Sequence, residues 1–231
     1  ISYYKAIKLA PDYALVHWNL SLALLSLGRY EEGFKEMMWR WKWNSFPSTP
    51  REFDQPLLQS PSELGSDFHG KRILLHAEQG LGDTIHFIRY GALLRKIGGH
   101  VIFECPDGLM PLLKGSDLVD QIISSDDQLP EFDFHAPLLD LPFLFRTRED
   151  NLPRSSPYLN VPNDITSKWQ QKINKIKGFK IGLNWQGNIK SPAEHFRGLP
   201  PNDLKTLASL NGVAWFSLQK GPSHDHLPEL S

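Results

Sequence analysis

The chain is poor in cysteine: Cys105 stands alone. That excludes internal disulfides and cysteine-cluster metal sites, and it fits a reducing cytoplasm. An excess of either charge is also missing, with 25 Lys plus Arg against 26 Asp plus Glu and no basic run. Nucleic acid is therefore not expected as the main partner. Apolar residues never run to the ~18–20 of a membrane span, and no signal-peptide pattern is visible. No membrane span and a cytoplasmic location are expected. At 231 residues the chain has room for one large or two modest domains, each with its own core. It opens on Ile1, without Met, inside a helical pattern, so it is expected to be a piece of something longer.

What the chain does have is a stretch, Lys71–Tyr90, around which the rest is arranged. Ile73-Leu74-Leu75-His76-Ala77 is a short apolar run of the length and branching of a buried strand. Glu78-Gln79-Gly80-Leu81-Gly82-Asp83 reads as a tight loop whose two glycines can take backbone angles other residues avoid. Ile85, Ile88, Ala92, Leu93 and Ile97 then recur at helical spacing until Gly98-Gly99 stops the helix. Strand, glycine loop and helix open a doubly wound α/β domain, which binds ligands at the carboxyl ends of its strands.

The loop lacks the third glycine of a dinucleotide fingerprint, Ile85 standing in its place, and it lacks the Gly-Lys-Ser/Thr of a phosphate loop. Asp83 is its most informative residue. A carboxylate at a helix amino terminus repels phosphate and is itself held ionised, which suits taking a proton from a hydroxyl. The plainer role is capping the helix, worth about 1 kcal/mol. The two are compatible.

Residues 1–43 read as helices: Tyr3, Ala6 and Ile7 before Pro11, a helix over Ala14–Leu27 ended by Gly28, and another from about Tyr30 to Trp43. Either a two-helix hairpin or repeat units of a stacked array fit this pattern. Trp39, Trp41 and Trp43 spread around their helix and are read as packing, with an aromatic ligand platform as the alternative. Residues 44–69, with Pro47, Pro50, Pro56 and Pro61, read as a linker. From 70 to 150 strands and helices alternate: Val101–Cys105, a short helix over Leu109–Lys114, Gln121–Ile123 and Phe132–His135. Asp126-Asp127 is a solvated turn pair rather than a metal site. Residues 151–178 form a second linker and a helix marked by Trp169, Ile173 and Ile176. A second α/β domain is expected over 179–231, with strands at Lys180–Trp185 and Val213–Leu218 around a helix carrying Leu204, Leu207 and Leu210. Two strands cannot close a sheet core, so it reads as incomplete. His17 and His100 read as packing or surface residues. His224 and His226 read the same way, with metal binding a minor alternative.

Tyr3, Ala6 and Pro11, then Asn19-Leu20, Gly28, Tyr30 and Phe34, resemble the tetratricopeptide repeat, a 34-residue helix-turn-helix unit. Gly33 departs from it, where the repeat prefers Ala. Joined to Trp39-Arg40-Trp41, Glu78–Ile85 with Phe87 and Arg89-Tyr90, Phe132–His135 with Pro137-Leu138 and Leu141-Pro142, Pro157-Tyr158-Leu159, Gly182-Leu183, Trp185, Gly187-Asn188 and Leu218–Gly221, the chain resembles tetratricopeptide-repeat proteins carrying a heptosyltransferase-like domain of glycosyltransferase family 9.

The resemblance implies a GT-B pair of Rossmann-like domains, the second truncated here, behind the helical repeats. It implies an inverting enzyme that needs no metal or other cofactor and moves a sugar from a nucleotide-sugar donor to a saccharide, lipid-linked sugar or protein hydroxyl. Asp83 matches the general base. Gln79, Gly80, Gly82, His86, Arg89 and His135 fall on the acceptor side, His135 with a structural hydrogen bond as its alternative. Trp185, Gly187, Asn188, Gln219 and Lys220 fall on the donor side, and Arg197 matches a residue that neutralises the leaving phosphate. His86 replaces a commoner Gln and Gly198 a commoner Ser. The family's later Asp-Thr-x-x-Ala-His segment is missing, so the chain alone is expected to turn over little. The competing expectation is a non-catalytic scaffold that binds a protein partner through its repeat helices. A nicotinamide-dependent enzyme would need the third glycine and an acidic ribose contact, which are not evident.

Overall fold

Three helices open the chain: α1 (Ser2–Leu9), α2 (Ala14–Ser26) and α3 (Tyr30–Met37). The computed structural model describes residues 2–154, 157–187 and 198–220; Asn188, Arg197, Gly221, His224 and His226 lie outside them. The chain divides into two compact units, 1–160 and 161–231.

The helix expected to run on to Trp43 is α-helical only to Met37 and continues as a 3-10 turn over Met38–Lys42. The tighter winding swings the tryptophans onto different neighbours. Trp39 stacks on His17 at 3.9 Å, Trp43 lies beside Trp18, and Trp41 meets the edge of Phe46. His17 is a packing residue, its ring bonded to Glu36 and to the Pro11 carbonyl. Gly33 has a steric reason: a Cβ there would stand 2.7 Å from Leu25 Cδ2 on α2.

The α/β part of this unit holds β1 (Arg72–His76), α4 (Leu81–Phe87), α5 (Tyr90–Lys96), β2 (His100–Cys105), α6 (Met110–Leu113), β3 (Gln121–Ser124), β4 (Phe134–Pro137) and α7 (Leu141–Leu144). The four strands form one parallel sheet in the order β3-β2-β1-β4. Strand order reverses between β1 and β4, which makes their carboxyl ends the crevice where doubly wound sheets take ligands.

The helix expected from Ile85 to Ile97 is two helices with a break at Ile88–Arg89. Beyond it Gly91 comes against the chain leading into β3. Gly98, at φ 91, closes α5 as expected, with Gly99 N–H donating to the Leu94 carbonyl.

One sheet face carries most of the core. Ile73, Leu75, Val101 and Phe103 are fully buried there with Leu138 and Leu141, and Phe34 and Met37 of α3 join the same cluster. The helices are thus fused to the sheet rather than hung beside it. The other face is thin: Leu74, Ile102 and Ile123, covered by Phe53, Leu129 and Phe132. The stretch 44–69, expected as a linker, is a packed strap. Leu58 and Phe68 are buried, Leu58 N–H donates to the His135 carbonyl, and His135 N–H donates to Pro56. Its prolines suggest an open connection, but single apolar anchors spaced along it are enough to seat it.

The second unit holds α8 (Asn163–Ile173), β5 (Phe179–Leu183), α9 (Pro201–Ala208) and β6 (Val213–Ser217), with β5 and β6 parallel. Trp185 and Leu204 are buried, whereas Phe179, Trp169 and Leu210 are exposed. Among the described residues no helix is long and apolar enough to cross a membrane.

Gly91 gives the packing a direct test. A Cβ there would lie 2.7 Å from the Leu118 carbonyl oxygen and 2.9 Å from Val119 Cγ1. Overpacking costs about 1–3 kcal/mol, against the roughly 1 kcal/mol that Ala contributes over Gly inside a helix. Gly91→Ala is expected to lower the urea midpoint, and an unchanged or higher midpoint would refute the close approach.

Candidate active site

β1 delivers the loop, and the loop does not use its glycines as expected. Gly80 is extended at φ −88, and Gly82 already lies inside α4, which begins at Leu81. The left-handed residue is Gln79, at φ 64. Holding a side-chain-bearing residue there costs about 1–2 kcal/mol, so something outside the loop must hold it. Gln79 N–H donates to Ser48 Oγ of the strap at 3.2 Å. Asp83 Oδ2 accepts the Gly80 N–H at 3.1 Å, and Thr84 N–H closes the first turn onto the Gly80 carbonyl. Asp83 therefore caps its helix with one oxygen. The half-buried side chain makes no hydrogen bond through Oδ1 among the described residues, so the base role is left open by the geometry.

The crevice between β1 and β4 holds a buried ion cluster. Arg40, fully buried at the end of the helical segment, reaches in between Glu78, two residues past β1, and Asp140, three past β4. Its Nη2 donates to Glu78 Oε1 at 2.7 Å and to Asp140 Oδ1 at 2.5 Å, its Nε to Glu78 Oε2 at 3.3 Å, and its Nη1 to the Met37 carbonyl at 3.3 Å. The guanidinium fork suits two carboxylates at once. One cation against two acids leaves the acids short of charge balance. Burial pushes Glu78 up to about 7, opposed by Arg40 and helped by the charges of Asp140 and Asp83. Asp140 is raised by burial too, again against Arg40.

On the thin sheet face His76 and His135 sit side by side, Nε2 to Nδ1 at 3.4 Å, under the ring of Phe53. Burial lowers His76 to about 3, with Arg51 and His135 adding repulsion, and lowers His135 in the same way. Both are neutral imidazoles. Arg51 lies over Phe53 and pairs with Glu104. His135 thus makes the structural contact named as its alternative. Asp133 Oδ2 accepts the Arg72 N–H and fixes the start of β1. Arg89 donates to the Pro153 carbonyl and lies over the ring of Tyr158, which itself donates to the Ile85 carbonyl. It ties the chain around Tyr158 to α4. His86, on the same helix, is lowered by desolvation and by Arg89, with Asp83 opposing.

In the second unit Gln219 is spent on the backbone. Its Oε1 accepts the N–H groups of Trp185 and Gln186, and its Nε2 donates to the carbonyls of Gln186 and Lys220. It braces the turn that carries Trp185 and Gly187, and Lys220 is exposed next to it. Trp185 is buried, with Nε1 lacking a partner among the described residues.

Among the described residues no group of three or more His, Cys, Asp or Glu is placed to hold a metal ion. Sequence reading passed over Arg40, Glu78, Asp140 and Ser48 as site residues. The one signal was an arginine between two tryptophans, an odd place for a solvated charge.

The cluster predicts a pH dependence. Folded Glu78 keeps its proton to about 7 and the unfolded chain loses it near 4.5. In that window the folded state binds more protons, so stability falls as pH rises. Glu78→Gln is expected to flatten this decline in denaturation midpoints measured from pH 4.5 to 8. Arg40→Met leaves two buried acids and is expected to cost about 3–5 kcal/mol at pH 8, and less at pH 5, where both can hold protons. An equal loss at the two pH values would rule the cluster out as its cause.

No family model matches the chain, and no solved structure matches it. Among curated proteins it is similar to protein FlbA of Caulobacter vibrioides, at 25% identity over 240 residues. The match covers 94% of this chain and 39% of FlbA, so the chain spans about two-fifths of that relative's length.

Proposed function

We propose that this chain is the acceptor-side core of an inverting, metal-independent glycosyltransferase of the heptosyltransferase-like family 9 type, with tetratricopeptide-like helices at its start and a GT-B partner domain beginning in the second unit. The observation that carries the reading is Asp83: a carboxylate in the first turn of α4, at the carboxyl end of β1 in a 3-2-1-4 parallel sheet, with one oxygen capping and the other open. In the proposed reaction an acceptor hydroxyl lies ~2.6–3.2 Å from that oxygen. As the hydroxyl oxygen bonds to the anomeric carbon, its proton passes to Asp83, and the bond to the nucleoside diphosphate breaks with inversion. Arg197 is assigned to the charge that builds on the departing diphosphate. The donor is a nucleotide sugar, and the acceptor a saccharide, lipid-linked sugar or protein hydroxyl.

A second reading, a non-catalytic scaffold that binds a protein partner, draws on two side chains. Gln219 spends both amide atoms on the protein's own backbone, and Arg89 spends Nη1 there.

Asp83→Asn separates the two readings. In the transferase, release of nucleoside diphosphate from a panel of UDP-, GDP-, ADP- and dTDP-sugars should fall about 10²–10⁴-fold; turnover unaltered by the change would remove the base. Gly82 adds a finer test. A Cβ there meets nothing within 4 Å, so Gly82→Ala should fold at least as well as the parent. If the acceptor lies against this turn, its KM should rise while the denaturation midpoint holds, and an unmoved KM places the acceptor elsewhere.

A further inference from the structure

Resting on the transferase reading, we propose that Arg40 is a positioning residue for Asp83, so that the helical segment at the start of the chain sets the geometry of the base. The path is short and explicit. Arg40 holds both oxygens of Glu78. Glu78 directly precedes Gln79, whose left-handed backbone aims the following turn, and Gln79 N–H is held in turn by Ser48. Gly80 comes next, and its N–H and carbonyl bind Asp83 Oδ2 and Thr84 N–H. Among the described residues, the side chains that bond to this turn from outside it are Arg40 and Ser48.

Arg40 has a second hold on Asp140, beyond β4. It thereby fixes the turn after β1 relative to the turn after β4, the two sides of the crevice. Adhesion alone does not call for such a device. Phe34 and Met37 already bury the helical segment in the shared core, and buried ion clusters are often matched or bettered by apolar packing of equal volume. What a forked cation between two carboxylates supplies is direction: the loop can sit in one place and at one angle. A base displaced by about 1 Å can lose about 10²-fold in rate with its chemistry intact.

Three variants of the full chain test this. Arg40→Lys keeps the charge and loses the fork. Glu78→Ala frees the loop but leaves the Arg40–Asp140 pair, so it remains informative if Arg40→Lys does not fold. Leu113→Ala, in the buried core on α6, is the control for stability loss away from the loop. The readouts are amide exchange at Gly80 and Thr84, and kcat and KM for nucleoside diphosphate release from the same sugar panel.

Arg40→Lys and Glu78→Ala are expected to speed exchange at those two amides about tenfold beyond the control and to lower kcat about 10–100-fold with donor KM little changed. Glu78→Gln, which still offers Arg40 an acceptor, should restore most of the kcat. Exchange and kcat that track the control in both loop variants would overturn the positioning role. If instead Asp83→Asn leaves turnover intact, the transferase reading falls, and the exchange data still decide whether Arg40 orders the turn.

Discussion

A single guanidinium placed between two carboxylates governs how this molecule is put together. Arg40 leaves the helical segment, enters the crevice where strand order reverses, and satisfies Glu78 and Asp140 together. Remove Arg40 and two buried acids lose their cation, at a cost of several kcal/mol. The contact joins parts of the chain that are far apart in sequence, and through it the first helices, the glycine turn and the end of β4 become one piece. Glu78 and Asp140 are raised because burial penalises their charged forms by more than Arg40 offsets.

The polar groups expected to meet a ligand sort into two kinds, and the sorting matters more than their number. Asp83 has one oxygen without a hydrogen bond among the described residues, which suits the base role proposed for it. Arg89 bonds through Nη1 to Pro153, His135 through Nδ1 to His76, and Gln219 through both amide atoms to the turn after β5. Their contribution to any reaction is the shape of the turns they brace. The neutral His76–His135 pair belongs with them, since burial removes the charge that would make either one a useful acid.

Much of the α/β order was legible along the chain, because buried parallel strands are short apolar runs and glycine marks where helices stop. β1, β2 and the end of α5 at Gly98 fall where residue pattern alone puts them. Asp83 was legible for the same reason, being local to a turn. The break between α4 and α5 was not, since the apolar spacing runs on through Ile88 without a glycine or proline to mark it. Nor was the seating of the strap, where four prolines outweigh Leu58 and Phe68 in any local reading. Arg40 was hidden most fully. Its partners lie 38 and 100 positions away, and the tryptophans on either side draw attention to packing instead.

The strap has a bearing on the life of the protein outside any reaction. A parallel sheet ends in a strand with unpaired backbone groups, and such an edge invites recruitment of a neighbour's strand. Here Pro56 and Leu58 occupy the outer side of β4 at His135, in a single bridge centred on Leu57. At the opposite margin β3 is only four residues long and runs straight into the acidic turn at Asp126 and Asp127. The strap thus covers β4 at His135 on one flank, and the other flank offers only a short strand for a neighbour to pair with.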